Sequence, residues 1–302
     1  MEVKRMETKE PLVYIDGKFY PKSQAKVSVF DHGLLYGDGV FEGIRAYNGS
    51  VFRLIEHVER LYRSAKMIML AIPIEEDKME QIVLQTLLKN NLRESYIRLI
   101  VTRGVGDLGI NPKKCPKPTI ICITDTISLM EGKEENGITA MIPWVRRNPV
   151  DTTSHEIKSL NYLNSILAKI EANIAGVDEA ICLDKSGFAS EGAGENLFEI
   201  NGDLELITPP TCTGALEGIT AKAVIKIAEK LSHKVIIRNI TPFELFTAKE
   251  IFLTGTAVEI APVVKINGRL IFGGRPGPTT KSLMKEFKKL VRDPKEGTPI
   301  YK

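Results

Sequence analysis

Residues 179–208 read EAICLDKSGFASEGAGENLFEINGDLELIT, and the alternation inside this stretch decides the fold. EAICLD (179–184) reads as a strand. NLFEI (196–200) and LELIT (204–208) read as a hairpin across Asn201-Gly202, because Asn-Gly supplies the positive backbone angles of a tight turn. Between them, SGFASEGAGENLF (186–198) places Glu191 beside two glycines that permit close approach of backbone to a ligand. Taken alone, this segment is more often a glycine-rich turn with an exposed carboxylate.

Further along the chain, GITAKAVIKIAEKL (218–231) reads as a helix and KVIIRNI (234–240) as a strand. Thr241-Pro242-Phe243-Glu244 has the form of a capping box with proline at the first helical position. KEIFLTGTAVEI (249–260) and a hairpin around Asn267-Gly268 complete the sheet, and a helix from about Thr279 closes the chain. In the other direction, NYLNSILAKIEANIAG (161–176) is a helix with Leu163, Ile166, Leu167, Ile170 and Ile174 on one face. Gly176 sits where a left-handed cap is expected, and ITAMIPW (138–144) is a strand.

The polar, glycine-bearing stretch SLMEGKEENG (128–137) is the expected linker between residues 1–127 and 138–302. In the first part, Val13–Tyr20 turns at Asp16-Gly17, and VFEGIRAY and SVFRL turn at Asn48-Gly49. Two amphipathic helices follow, one with Ile55, Val58, Tyr62, Ala65 and Met69 on a face, the next with Met79, Ile82, Val83, Thr86 and Leu87. SYIRLIVTRG and TIICITDT are strands separated by GVGDLGINPKKCPKP. Mixed strands and helices with many hairpins favour α+β over a doubly wound fold.

The 302 residues suit two packed domains, and 43% hydrophobic with 26% charged residues is an ordinary globular balance. A net charge of +3 points to neither nucleic acid nor an anionic membrane. The longest apolar run, Met67–Ile74, falls far short of the roughly 20 residues of a membrane span. The N-terminus MEVKRMETKE is charged and reads as a short disordered extension, unlike a signal peptide. Cys115, Cys122, Cys182 and Cys212 show no CxxC spacing, which suits free thiols in a reducing cytoplasm. His32, His57, His155 and His233 lack metal-ligand spacing.

Three further segments could carry chemistry. Lys158 in HEIKSLNYL precedes an amphipathic helix, where most lysines are simply surface residues. Gly218-Ile219-Thr220 opens a helix, and its free N–H groups, hydroxyl and helix dipole suit a phosphate; equally, Thr220 could be no more than an N-cap. Thr254-Gly255-Thr256-Ala257 offers backbone donors at a strand end, or a strand interrupted by a bulge. GGRPGPTTKS (273–282) lacks a glycine directly before Lys281, so it is a turn entering a helix rather than a phosphate loop. Ser23-x-x-Lys26 lacks the companion motifs of a serine acyl-enzyme.

In order along the chain, YGDGVFEGIR, EHVERLYRSAK, YIRLIVTRG, GINP, IKSLNYL, SEGAGENLF, LEGIT and LTGTAVEI resemble the class IV aminotransferases. These are pyridoxal 5′-phosphate enzymes of fold type IV, and the resemblance is closest to the branched-chain amino acid aminotransferases. It runs from about Tyr14 to about Leu290. It implies a smaller N-terminal domain, a larger cofactor-binding C-terminal domain, and transfer of an amino group from leucine, isoleucine or valine to 2-oxoglutarate. By motif, Lys158 is the implied Schiff-base lysine and proton carrier, Glu191 the partner of the pyridine nitrogen, and Tyr162 the partner of the phenolic oxygen. Arg60, Gly218, Ile219, Thr220 and Thr256 would hold the phosphate. Tyr96, with the backbone of Thr256 and Ala257, would receive the substrate carboxylate, and Arg98 the distal carboxylate of glutamate. Tyr36 and Phe41 would line the side-chain pocket, and the loop at Ile110 would reach the neighbouring subunit's site, so a homodimer is implied.

The spacing in KSLNY is one residue shorter than in some relatives, and Ala221 stands where many have arginine. D-amino-acid aminotransferases and aminodeoxychorismate lyases share the fold. VTRG, with Arg103, is similar to the carboxylate trap of the D-amino-acid enzymes, which usually add a histidine where this chain has Val105-Gly106-Asp107. Tyr96 and Arg98 followed by GDLGINP favour the branched-chain type.

Overall fold

Asp16 and Gly17 take φ of 44° and 90°, and their turn lays Leu12–Ile15 (β1) antiparallel to Lys18–Pro21 (β2). A short helix, His32–Tyr36 (α1), leads into Gly39–Tyr47 (β3), and Asn48-Gly49, at 48° and 83°, turns it onto Ser50–Phe52 (β4). Helices Leu54–Met67 (α2) and Glu76–Lys89 (α3) precede strands Ser95–Thr102 (β5) and Thr119–Asp125 (β6). This computed structural model describes residues 10–126, 133 and 136–301; most of the expected linker lies outside the described residues.

The second half runs Ile138–Met141 (β7), Leu163–Ile174 (α4), Glu179–Leu183 (β8), Ala189–Gly192 (β9) and Asn196–Ile200 (β10). Then come Leu206–Thr208 (β11), Ile219–Lys230 (α5), Val235–Ile237 (β12) and Pro242–Thr247 (α6), the last with the expected capping box. Glu250–Gly255 (β13), Glu259–Ile266 (β14), Arg269–Leu270 (β15), Pro278–Leu290 (α7) and Gly297–Pro299 (β16) finish the order.

Among the described residues the strands form two sheets. One has the order β16-β4-β3-β5-β6-β1-β2; the other runs β12-β11-β10-β13-β14-β7-β8-β9, with β15 on β14. Antiparallel pairs dominate, but β7 is parallel to β8 and β14, and β11 to β12. The architecture is α+β, as expected. Strand β16 returns to the first sheet, so residues after 296 pack with the N-terminal layer.

Helices α2 and α3 bury Leu54, Val58, Leu61, Ala65, Met79, Val83 and Leu87 against Ile44, Ile97 and Leu99. Each fully buried side chain of this kind stabilises the fold by about 1.5–3 kcal/mol. The buried face of α2 differs from the apolar stripe expected: Ile55 and Met69 are exposed, and His57, Arg60 and Ser64 are buried instead. Those three polar groups have hydrogen-bond partners inside the protein, which periodicity of apolar residues does not register. On the second sheet, α5 and α7 pack through Val224, Ile227, Leu283 and Phe287 on the stacked Phe198 and Phe252 rings. Tyr47 and Phe52 of the first sheet join that same cluster.

Two connections depart from the sequence expectation. Asn201 to Glu205 form a five-residue loop, in which the Asn201 side chain accepts from the Asp203 and Glu205 N–H groups at 3.0 Å. Leu204 and Glu205 are therefore outside β11. KEIFLTGTAVEI is itself a hairpin, with Thr256-Ala257-Val258 as its loop and Glu259 in the left-handed region at φ 57°.

Helix α4 rests on β8 through Ala168 and Ala172, which meet Ala180 and Cys182. Its apolar stripe of Leu163, Ile166, Leu167, Ile170 and Ile174 faces away from the chain, 42–82% exposed. Gly176 follows the helix at φ 68°, the left-handed cap expected there. No helix among the described residues is long and apolar enough to cross a membrane.

Candidate active site

The segment before α4 runs along the free edge of β3. The Phe41 N–H donates to Lys158 O, and the Leu160 N–H to Gly39 O, both at 3.0 Å, while Ser64 Oγ accepts from the Lys158 N–H at 3.2 Å. Lys158 is thereby fixed between strand and helix. Its Nζ lies 3.2 Å from the Tyr162 hydroxyl and 4.6 Å from the centre of the Phe41 ring, which itself meets Tyr162 edge-on. The four-residue spacing brings lysine and tyrosine together.

Glu191, on β9, is 4% exposed and thus no surface carboxylate. Its Oε2 accepts from the Leu216 N–H at 2.9 Å and from Asn196 Nδ2 at 3.3 Å; Arg147 Nη2 lies 3.5 Å from Oε1. Burial pushes this carboxyl above its ordinary value against the pull of Arg147, the Leu216 N–H, Lys158 and Arg60.

Gly218 is the N-cap of α5, and Ile219 and Thr220 are its first helical residues, so Thr220 is not the cap. The N–H groups of this first turn lack intrahelical partners and carry the positive end of the dipole. A Cβ on Gly218 would fall 1.8 Å from Asn196 Oδ1, so only glycine lets the strand and the helix start approach this closely. Arg60 reaches the same place from α2. Glu42 grips its guanidinium at 2.7 and 2.8 Å, and Glu217 O accepts from Nη1 at 2.8 Å. Burial acts to raise the Glu42 carboxyl, but Arg60 and the hydrogen bond from His57 outweigh it and hold it at about 2.

Lys158, Arg60, Tyr96, Gly218, Ile219, Thr220, Thr256 and Ala257 line one pocket, with about 530 Å³ of atom-free space. Its Thr254 Oγ1 is buried without a hydrogen-bond partner. Gly43 leaves room for the Tyr96 hydroxyl, which a Cβ would meet at 2.3 Å. Strand register sets Arg98 opposite Gly43 and Tyr96 opposite Arg45. The Arg98 guanidinium lies 4.4 Å from the centre of the Phe41 ring.

Tyr36 and Ile110 are not brought to this pocket. The Tyr36 hydroxyl donates to Leu108 O, and Ile110 is 81% exposed on the same loop. Arg103 is buried and held by four hydrogen bonds: Asp38 accepts from Nε and Nη2 at 2.9 and 3.0 Å, and the carbonyls of Met69 and Ile68 take Nη1 and Nη2.

Arg45, Glu42, Asn196 and Arg147 were not singled out from sequence. Arg45 shares the strand face of Phe41 and Gly43, a signal that period-2 alternation carries; it pairs with Glu259 at 3.1 Å beside the Thr256-Ala257 loop. Arg147 lies in irregular backbone and gave no local signal. The turn before α7 is filled by a carboxylate, since Glu250 accepts from the Thr279 and Thr280 N–H groups. No cluster of potential metal ligands occurs among the described residues.

This pocket belongs to a transaminase-type fold: residues 39–266 match the family model of amino-transferase class IV, and the chain belongs to that family. It is 54% identical over 290 residues (96% of this chain, 99% of the other) to a Methanocaldococcus jannaschii protein assigned provisionally as a branched-chain-amino-acid aminotransferase. The crystal structure of the Escherichia coli branched-chain amino acid aminotransferase superposes with a TM-score of 0.93 at 35% identity, covering 97% of this chain and 100% of that one. A T.th. branched-chain amino acid aminotransferase, solved with N-(5′-phosphopyridoxyl)-L-glutamate and with 4-methylvaleric acid, superposes at 0.91 and 35% identity, covering 97% of this chain and 99% of that one.

Proposed function

We propose that the chain is a pyridoxal 5′-phosphate-dependent aminotransferase that passes the amino group of leucine, isoleucine or valine to 2-oxoglutarate. The observation that carries this reading is the 3.2 Å approach of Lys158 Nζ to the Tyr162 hydroxyl in a pocket that also holds an unpaired helix start. The donor set fits the cofactor: bare N–H groups and Arg60 for a phosphate, a buried unpartnered Thr254 hydroxyl, and a buried acid at Glu191. When bound, pyridoxal phosphate supplies an electrophilic carbon for the amine and a ring that takes up negative charge from the substrate's α-carbon.

Lys158 is the amine that holds the cofactor and the base that moves the α-proton. Tyr162 orients the phenolic oxygen, and Glu191 keeps a proton on the ring nitrogen. Arg60, Ile219, Thr220 and Thr256 hold the phosphate. Tyr96 and the Thr256-Ala257 backbone receive the α-carboxylate. Phe41 buries the branched side chain, Tyr36 and the Ile110 loop serve the neighbouring subunit's side-chain pocket, and Arg98 answers the distal carboxylate of glutamate.

Arg103, the residue a D-amino-acid enzyme would aim at a carboxylate, is tied to Asp38 and two carbonyls. That supports L- over D-substrates. The working unit is a homodimer: the stripe on α4 and the residues Leu108 and Ile110 are apolar and exposed, surface that a second copy of the chain would cover. The residues 1–127 and 138–302 serve as the two domains, except that β16 and Ile300 return to the first, and free Cys115, Cys122, Cys182 and Cys212 support a reducing cytoplasm.

The test is an absorbance spectrum of the purified protein with pyridoxal phosphate, before and after single amino acids. L-leucine, L-isoleucine and L-valine should bleach the visible band and 2-oxoglutarate restore it. Bleaching by D-alanine in preference to L-leucine would overturn the substrate assignment.

A further inference from the structure

Arg147 heads the largest fully buried side chains of the molecule, at 1% exposure. Its backbone N–H donates to Leu183 O at 2.9 Å, and the left-handed Gly214 (φ 90°) lies so close that a Cβ there would fall 2.7 Å from Arg147 Cγ. The fold is shaped around this side chain. Nη1 donates to Asn164 Oδ1 and Ser165 Oγ at 3.2 and 3.1 Å, and Nη2 to Gly192 O. Nε has no partner. The acid facing this cation is Glu191, with Oε1 3.5 Å from Nη2.

A guanidinium placed this deep, with one N–H left bare, is a poor way to gain stability, because a well-packed apolar side chain of similar volume does as well or better. What it supplies is a fixed charge behind Glu191. Other groups around that carboxylate do not replace it. His155 Nδ1 lies 4.0 Å away, but burial, Arg147 and Lys158 hold its imidazole neutral, down to about 3. Cys182, on neighbouring β8, is pushed up to about 11 by burial and stays a neutral thiol. Arg60 is gripped by Glu42. Glu195 is an acid, itself pushed up to about 7 by burial and by Glu179, and supplies no positive charge, while Lys158 would be committed to holding the cofactor.

We propose that Arg147 is a positioning residue that keeps Glu191 ionised and so fixes the proton on the ring nitrogen of the bound cofactor rather than on the carboxylate. The cation stabilises the anionic carboxylate and therefore favours the ion pair of protonated ring and Glu191 over its neutral alternative. This rests on the aminotransferase reading above, but its first half concerns Glu191 alone and holds without cofactor.

Two measurements test it, each on wild type, Arg147→Gln, Arg147→Met and the charge-keeping Arg147→Lys. In the cofactor-free protein, infrared difference spectra against Glu191→Gln follow ionisation of the Glu191 carboxyl with pH. The neutral variants should ionise at least one pH unit higher than wild type, a tenfold change in proton affinity, and Arg147→Lys should lie between. In protein loaded with pyridoxal phosphate labelled with nitrogen-15 in the ring, the nitrogen resonance should be that of a protonated ring in wild type. In the neutral variants it should move toward the unprotonated value at the same pH. A purely structural Arg147 would lower melting temperature and leave both readouts where they are, and that result overturns the proposal. Should neither neutral variant fold, the charge-keeping Arg147→Lys decides instead: a carboxyl titration displaced by a full pH unit or more despite the retained cation overturns the proposal equally. Wild-type protein that takes up no cofactor at Lys158 would sink the functional reading, while the infrared titration still decides the role of Arg147.

Discussion

Lys158 Nζ stands 3.2 Å from the hydroxyl of Tyr162, and the Phe41 ring packs against both. The phenol ring and the hydroxyl can therefore be separated experimentally. Tyr162→Phe keeps the edge-on contact with Phe41 and removes only the hydrogen bond. Turnover should fall by about 10- to 100-fold, the loss of one hydrogen bond to a charged group, with the visible band of the loaded protein shifted in its pH dependence. Lys158→Ala should lose that band and nearly all transamination. Normal turnover together with a borohydride-trappable lysine adduct in Lys158→Ala would show that another lysine holds the cofactor.

Arg98 lies across the face of Phe41 at 4.4 Å, and the same ring meets Lys158 Nζ, so an apolar ring and a cation stand together beside the lysine. Arg98→Leu should raise the Michaelis constant for 2-oxoglutarate at least tenfold more than that for leucine. An unpaired carboxylate in a partly apolar pocket loses much more than a branched chain that never needed the charge. Paired saturation curves decide; equal shifts for both substrates would make Arg98 a structural residue.

The outward stripe on α4 predicts the behaviour of the chain in solution. Light scattering at assay concentration should give the mass of a dimer or a multiple of it. Leu167→Glu with Ile170→Glu, at positions 42% and 46% exposed, should shift the mass toward monomer and depress activity while the monomer keeps its secondary structure. An active monomer of wild type would contradict the prediction.

Acid stability should carry the signature of Glu42. Its folded value of about 2 lies below the ordinary 4.5, so its contribution is complete above 4.5 and is lost as the pH falls from there towards 2. The difference corresponds to on the order of 3 kcal/mol. His57, also lowered, chiefly by burial, adds a loss of the same sign as the pH falls below its ordinary 6.5. Melting curves of the cofactor-free protein between pH 7 and 3 should show a steeper decline in wild type than in Glu42→Gln, which starts less stable. Parallel slopes would remove Glu42 from the account.

Much of this is legible in the sequence. The Asp16-Gly17 and Asn48-Gly49 turns, the capping box at Thr241 and the cap at Gly176 follow from chemistry confined to a few neighbouring residues, and such features survive tertiary context. The grouping of Lys158, Glu191 and the Ile219-Thr220 helix start was legible only as an ordered set of motifs, since each segment alone had a plainer reading. What stayed hidden depended on contacts distant in sequence. The buried face of α2 includes His57 and Arg60 because Glu42 on another element satisfies them. The α4 stripe is apolar yet exposed, which periodicity cannot distinguish from a core. Arg147 is buried by a loop and a glycine that no local pattern ties to it.

Strand β16 has a consequence for how the protein is made. Pairing of Thr298 with Val51, donation from the Ile300 N–H to Gly49 O, the Arg53–Glu296 ion pair and burial of Ile300 in the first core close the edge beside β4. On the ribosome, the strands it completes have all emerged more than 170 residues earlier. Until residue 301 clears the exit tunnel, the nascent N-terminal layer carries an open strand edge and an unfilled apolar seat, the two features that most invite wrong partners. Emergence of residues 297–300, rather than of the sheet itself, therefore ends the interval in which this half of the enzyme needs protection.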